Sequence, residues 1–289
     1  MISEELNKIQ SKSKINYNYQ TIRITKSRIE KGLLAIPISM MKLFPQSNTL
    51  IKLFLDDSNV SQLKNFSSFK SSTKESRIGG LRDWLNKHRI KDGDEIVIQV
   101  IDKTNFVYRL IPEKLFISRI CDFQTVFDEV MEEEEVNKNL EKLQILTQME
   151  KTVIYLNEYY RICKNKDIIP RKRIKLKPSD IYENTPNNIR VLLGNLHRGL
   201  CQVCRFTFLK KDRTPYFEIH HLNPNLGHHP KNLILVCANC HRQFEYADIE
   251  TYMNENGWLI EVKFNDQNFM INQPILNENY LEFKKTIYF

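Results

Sequence analysis

Short apolar runs separated by turn residues fill the first part of the chain, up to about Leu115. Five of these runs are rich in β-branched residues and predict β-strands, over residues 21–24, 33–38, 50–55, 95–101 and 106–111. Between residues 77 and 89, apolar side chains recur at helical spacing, which predicts a short amphipathic helix with Trp84 in the core. Residues 1–115 are therefore expected to form a mostly β domain.

The pattern changes over residues 116–180, where we expect a helical connector followed by a basic linker. Apolar residues at three-and-four spacing predict a helix over 121–156, whose acidic run 132–135 is interpreted as a solvated face. The basic run 164–177, interrupted by Pro170 and followed by Pro178, indicates an extended linker. That linker is either a plain hinge or a strap that contacts phosphates.

Residues 181–289 form the third predicted domain and hold six of the seven histidines. Together the three parts predict an α+β, multidomain protein. Hydrophobic residues make up 41% and charged residues 27% of the chain, a composition that excludes a wholly disordered protein. The formal net charge of +8 favours a polyanionic partner, most commonly a nucleic acid. No signal peptide or membrane-spanning run is visible, so we expect a cytoplasmic protein with no membrane partner.

Four of the six cysteines form two Cys-x-x-Cys pairs, Cys201 with Cys204 and Cys237 with Cys240. This spacing lets four thiolates reach one tetrahedral Zn²⁺, and a site closed by four thiolates is structural. A simple zinc ribbon has about 15–20 residues between its pairs, whereas 32 residues separate Cys204 from Cys237. The longer insert contains His220, His221 and Asn232, although a zinc fold without catalysis stays an alternative.

The third part resembles the HNH, or ββα-metal, nuclease family. The resemblance is carried by a Cys-x-x-Cys pair, the His-His pair 220–221 near Pro224, Asn232-Leu233, and the closing Cys-x-x-Cys-His ending at His241. It covers about residues 201–247 and implies a β-hairpin followed by a helix with His241 in its first turn. It further implies that the chain hydrolyses DNA phosphodiesters.

The family resemblance also implies roles for these residues. His221 is expected to be the general base, since a neutral imidazole can take a proton from water at neutral pH. His220 and His241 are expected to hold a catalytic divalent ion, Mg²⁺ or Mn²⁺, and Asn232 is expected to brace the loop. Neighbouring residues of a strand point to opposite faces, so His220 has a second interpretation as a residue turned away from the site.

Four further residues have two interpretations each. Glu218 either orients a ligand histidine or is an exposed strand residue. His228 and His229 are either exposed loop residues or lie near the phosphate. Arg242 either contacts a phosphate or is a solvated arginine.

The N-terminal part resembles the B3-like DNA-binding pseudobarrel, a fold of plant transcription factors and of the target-reading domains of some restriction endonucleases. The resemblance is carried by strands and turns over about residues 17–113, with 27–32, 79–85 and 91–96 among them. It implies two arms that grip the DNA major groove. The candidate DNA contacts, each also explicable as a solvated surface residue, are Lys26, Ser27, Arg28, Lys70, Lys74 and Arg77.

These resemblances predict a sequence-specific endonuclease of double-stranded DNA, most similar to a type II restriction enzyme of a prokaryotic cell. One chain carries one HNH motif, so cutting both strands requires either a homodimer or two successive events. A homing or nicking HNH endonuclease and a non-catalytic zinc DNA-binding protein are the alternatives.

Overall fold

The computed structural model describes residues 15–68, 75–170, 173–176 and 179–274, of which 173–176 and 179–182 are described by their backbone. Two compact units divide the chain between Asp122 and Phe123. The division into domains at 1–115, 116–180 and 181–289 stays a prediction. Among the described residues, no helix is long and apolar enough to cross a membrane.

The first unit is built on a seven-stranded sheet. Its strands are β1 (Thr21–Arg23), β2 (Leu34–Ile36), β3 (Thr49–Leu55), β4 (Gln62–Ser67), β5 (Ser76–Ile78), β6 (Glu95–Asp102) and β7 (Val107–Pro112). They lie in the order β1-β6-β7-β3-β4-β5-β2, and all neighbours are antiparallel except β3 and β7. The two end strands approach each other, so the sheet curls into a nearly closed barrel.

Side-chain alternation explains the barrel core. On β3, Ile51, Leu53 and Leu55 are buried, whereas Lys52 between them is exposed. All five strands predicted from the sequence are present, with shifted ends. The sequence patterns missed β4 and β5, because β4 carries polar residues at most positions and β5 has only three residues.

Two short helices, α1 (Lys26–Lys31) and α2 (Arg82–Lys87), pack against the barrel, and a 3-10 helix over Ile38–Leu43 adds buried side chains to its core. The helix predicted over 77–89 is shorter than expected because residues 76–78 pair in the sheet and two glycines follow them. Gly32 ends α1 in the left-handed region, and a Cβ there would lie 2.8 Å from the Cβ of Arg82. Trp84 is buried in the core, as predicted, and donates to Asp56 Oδ1 over 3.1 Å.

The helix predicted over 121–156 is three helices, α3 (Glu113–Glu129), α4 (Glu133–Thr147) and α5 (Lys151–Asn165). Gln148 takes a left-handed conformation, with φ of 57°, that ends α4. The acidic run is exposed, as predicted, and its last three residues lie in the first turn of α4, where the helix dipole favours negative charge.

The remaining elements of the second unit begin with a two-stranded hairpin, β8 (Arg173–Leu176) and β9 (Ser179–Tyr182), where the sequence predicted an extended linker. Helix α6 (Asn187–His197) follows. The predicted ββα unit is confirmed as β10 (Glu218–His221), β11 (Leu233–Val236) and α7 (Ala238–Tyr246). Strands β12 (Ile249–Met253), β13 (Leu259–Phe264) and β14 (Gln267–Met270) form a last antiparallel sheet. The α+β fold class is thereby confirmed.

Candidate metal centre and histidine cleft

The four cysteines converge on one point. Their sulfur atoms all lie within 4.8 Å of one another, and Cys204 Sγ is 3.6 Å from Cys237 Sγ. Four sulfurs around a tetrahedral Zn²⁺ at about 2.3 Å would be separated by about 3.8 Å, so the donor set fits a metal ion of that kind. Within the described part of the chain, no other group of three or more such donors converges in this way.

Local structure brings the sulfurs together and gives them unequal acidities. Cys237 caps α7, where its sulfur accepts a hydrogen bond from the backbone N–H of Cys240 over 3.4 Å. The hydrogen bond from the Cys240 thiol is the main cause that lowers the pKa of Cys201 to about 4, against the opposing effect of burial. Burial raises the pKa of Cys204 to about 11, and the bond to Cys201 raises that of Cys240. A bound cation would favour the thiolate form at all four sulfurs.

The cysteine cluster is part of a hydrophobic core. Three of its sulfurs are buried, and β11 and β13 supply apolar neighbours such as Ile234, Val236 and Val262. Loss of the metal would therefore leave several polarizable thiols in an apolar environment. The site is positioned to couple metal binding to folding of the ββα unit.

The histidine pair lies on β10, beside an open cleft of about 710 Å³. The cleft is lined by His220, His221 and His241 together with residues of the segment before α6, of α6 and of α7. The His220 and His241 rings lie 5.1 Å apart, centroid to centroid. His220 also stacks on Phe244 of α7 at 4.3 Å, so the interpretation in which it turns away from the site is wrong.

Burial lowers the pKa of His220 to about 4, and the nearby His241 adds to this effect. The imidazole of His220 is therefore neutral at neutral pH and keeps the lone pair that a metal ligand needs. His241 uses Nδ1 to contact the carboxylate of Glu218, and its Nε2 lies 3.9 Å from Glu245 Oε1. Two imidazoles lining one open cleft fit a divalent ion whose other ligands come from solvent or substrate.

Glu218 holds His241 in place. Burial raises the pKa of Glu218, but hydrogen bonds from Tyr216 and His241 outweigh this, and the net pKa lies below the usual value. The carboxylate is thus charged and accepts from both neighbours. Glu218 is half-buried against His241, so its interpretation as an exposed strand residue is wrong, and its role in orienting a ligand histidine stays a prediction.

His221 is buried and contacts a second histidine. Its Nε2 lies 3.0 Å from Nδ1 of His228, and Nε2 of His228 lies 3.2 Å from Glu183 Oε1. His229 is buried as well, with Nε2 3.0 Å from the carbonyl oxygen of Cys163. The interpretation of residues 228 and 229 as exposed loop histidines is therefore wrong.

Asn232 closes the loop between the two strands of the ββα unit. Its amide nitrogen donates to the carbonyl oxygens of Asn223, Leu226 and Gly227 over 3.0, 3.3 and 3.1 Å. Its Oδ1 accepts from the backbone N–H of Asn223 over 2.8 Å. The buried side chain thus braces the loop that follows His221, which is the role that the sequence predicts for it.

Arg190 on α6 is a cleft residue that the sequence analysis missed. It lies over the Phe217 ring at 4.5 Å, donates to the Phe217 carbonyl oxygen over 3.3 Å and pairs with Glu133 at 2.9 Å. No sequence motif marks it, because Arg190 lies before Cys201, where the Cys and His motifs begin. Arg242, in contrast, is mostly exposed and pairs with Glu245.

Four of the predicted DNA contacts in the first unit belong to described segments. Lys26 and Ser27 are exposed at the start of α1. Arg28 and Arg77 both pair with Glu75, which lies between them. Lys70 and Lys74 lie outside the described residues.

Comparison with protein families gives a match to one segment of the second unit. Residues 201–245 match the family model described as HNH endonuclease. This HNH segment runs from the first metal-site cysteine through His241, and so contains the cysteine cluster and the three histidines of the cleft. It supports nuclease chemistry in the second unit.

Two further comparisons give no support for a function. No curated protein matches the chain. Among solved structures, a chain of the Arabidopsis FUS3–DNA complex matches at 13% identity and a TM-score of 0.28, covering 32% of this chain and 94% of that one. At this TM-score the match establishes no shared fold, and the N-terminal unit is defined by its own strand order.

Proposed function

We propose that the chain is a metal-dependent, sequence-specific endonuclease of double-stranded DNA, similar to a type II restriction enzyme. The observation that carries this proposal is the position of His220, His221 and His241 along one cleft, within the segment that matches the HNH endonuclease model. The cleft is open to solvent and has Arg190 in its wall, which suits an anionic substrate.

His221 is the proposed general base. In the proposed arrangement, His228 Nε2–H faces the Glu183 carboxylate, so the lone pair of His228 lies on Nδ1. That lone pair accepts the proton on Nε2 of His221, which puts the basic lone pair of His221 on Nδ1. A water beside Nδ1 would lose its proton to this atom as its oxygen attacks the phosphorus.

His220 and His241 would hold the catalytic divalent ion, Mg²⁺ or Mn²⁺. When bound, the ion supplies positive charge to the phosphate and to the departing 3′ oxygen. Glu218 keeps Nδ1 of His241 engaged, so that Nε2 is the nitrogen available as a ligand. Arg190 adds a fixed cation to the wall of the cleft, where it compensates the extra negative charge of the transition state.

The cysteine cluster would hold a structural Zn²⁺. Four thiolates would close the coordination shell of this ion, so its role would be structural rather than hydrolytic. The loaded cluster would hold the start of α7 in place, where Cys237 caps the helix and His241 occupies the first turn. The two metal roles are thereby separated between two sites of one domain.

We assign recognition of the DNA sequence to the N-terminal barrel, because the cleft residues would contact only the sugar-phosphate backbone, which is common to all DNA. Lys26, Ser27, Arg28 and Arg77 are its proposed contacts, together with Lys70 and Lys74. A charged Glu75 between the two arginines would compete with phosphate or guanine for them. Cutting both strands would use a homodimer, in the prokaryotic cytoplasm.

Incubation of the purified chain with plasmid DNA and Mg²⁺ or Mn²⁺ tests the proposed function. Discrete fragments whose ends map to one sequence support it. Nicked circles alone would indicate a nicking enzyme, and intact DNA with retained binding would indicate a zinc DNA-binding protein without catalysis. Cutting only at one long DNA sequence that occurs rarely would favour a homing enzyme.

A further inference from the structure

A basic hairpin, residues 205–216, lies between the cysteine cluster and the histidine cleft. The backbone N–H of Tyr216 donates to the Phe208 carbonyl oxygen and that of Lys210 donates to the Thr214 carbonyl oxygen, both over 2.8 Å. Leu209 and Pro215 form a bridge between the two arms. Neither the metal site nor the proposed hydrolysis uses any side chain at the tip of this hairpin.

The basic hairpin exposes apolar and cationic side chains together. Phe206, Phe208 and Leu209 are 55%, 47% and 62% exposed. The four cations of the hairpin, all exposed, are Arg205, Lys210, Lys211 and Arg213. Its one acidic residue, Asp212, is engaged in the turn, where Oδ1 accepts from the backbone N–H and the hydroxyl of Thr214 over 2.9 and 2.6 Å.

The basic hairpin is anchored to both sites. At its start, the Phe206 carbonyl oxygen accepts from the backbone N–H of Cys201 over 3.1 Å. At its end, the Tyr216 ring stacks on Phe208 at 4.9 Å while its hydroxyl donates to Glu218, the partner of His241. Its position relative to the cleft is therefore fixed by hydrogen bonds rather than left to a flexible loop.

We infer that the basic hairpin is a DNA-contacting wedge beside the cleft. Exposed Phe and Leu side chains flanked by Lys and Arg match the surface that proteins insert into a duplex groove, with cations on the phosphates and apolar groups against sugars and base edges. The charge of the hairpin selects a polyanion over a second copy of this chain, which itself carries a net charge of +8. The inference rests on the proposed function only in taking duplex DNA as the ligand.

The test measures binding of the full chain to mixed-sequence duplex DNA over a range of salt, without added Mg²⁺ or Mn²⁺. Lys211→Ala/Arg213→Ala should weaken binding and lower the slope of log affinity against log salt by about 1–2, since each lost phosphate contact removes about 0.9. Leu209→Ala and Phe206→Ala should weaken binding about tenfold and leave the slope unchanged. The matched controls on α4, Lys138→Ala/Lys142→Ala and Ile145→Ala, should bind like the unmodified chain.

Hairpin variants that bind as tightly as these controls would overturn the inference. A Leu209→Ala chain that changes from dimer to monomer by light scattering, with unchanged DNA affinity, would also overturn it and assign the hairpin to self-association. If the hairpin substitutions weaken DNA binding but the unmodified chain never cuts DNA, the inference is supported and the proposed function is refuted.

Discussion

Nε2 of His221, the last residue of β10, lies 3.0 Å from Nδ1 of His228 in the loop that follows. In the proposed arrangement, this contact sets which nitrogen of His221 carries the proton, because Nε2 of His228 lies 3.2 Å from Oε1 of Glu183. A general base needs its lone pair on the nitrogen that meets the water, so the orientation of His228 is part of the proposed chemistry. His228 is a positioning residue, since it acts through His221.

The role of His228 can be separated from packing by two substitutions of similar size. Asn keeps an acceptor oxygen near the position of Nδ1, whereas Leu does not. His228→Leu should lower kcat about 10–100-fold with little change in KM, and His228→Asn should recover most of that loss. Equal kcat values for the two variants, at equal thermal stability, would show that His228 does not position the base.

Removal of the base itself should affect cutting and leave binding intact. His221→Ala should reduce the cleavage rate by about 10²–10⁴-fold, the usual contribution of a positioned acid or base. DNA affinity, measured by fluorescence anisotropy, should stay at the level of the unmodified chain because His221 is largely buried. Cutting at the original rate by this variant would remove His221 from the mechanism.

The cysteine cluster predicts a metal-dependent fold. Cys237→Ala should lose the bound zinc and lower the melting temperature of the second unit, because it removes both a ligand and the cap of α7. Cys121→Ala is the matched control, since Cys121 is exposed and lies outside the cluster. Zinc content by mass spectrometry should be about one per chain in the control. Full zinc content in Cys237→Ala would rule out the four-thiolate site.

The sequence was most informative where local spacing fixes chemistry. Paired cysteines at close spacing predict a metal site, and in the structure these cysteines converge. The His-His and Asn-Leu signals lie on or beside the strands that flank the cleft. Because β10 and β11 pair in register, His221 lies opposite Leu233, the residue after Asn232, and the motif residues meet across one hairpin. The five predicted barrel strands follow from the same local reasoning about burial.

Other parts of the site depend on contacts between distant segments, which periodicity does not encode. Arg190 reaches the cleft because α6 packs beside β11 and the arginine contacts Phe217, the residue before β10. Glu183 reaches His228 from the segment before that helix. The prediction of a single long helix was wrong because apolar residues continue at helical spacing across Gln148. Gln148 has a left-handed backbone, but no glycine marks this position in the sequence. The sequence patterns missed β4 and β5 because pairing with neighbouring strands, rather than alternation of their own apolar and polar residues, determines their structure.

A buried histidine outside the cleft predicts acid sensitivity. Burial is the main cause that lowers the pKa of His197 on α6 to about 4, and Arg205 lowers it further. The unfolded chain binds a proton at this residue below about pH 6.5 and the folded chain only below about pH 4, so stability falls as the pH drops through that window. The loss of stability should reach about 2–3 kcal/mol near pH 4.

Urea titration from pH 7 to 4 tests this prediction. The difference in unfolding free energy between the unmodified chain and His197→Gln should shift by the same amount over this range. A constant difference across the window would show that His197 titrates normally in the folded protein.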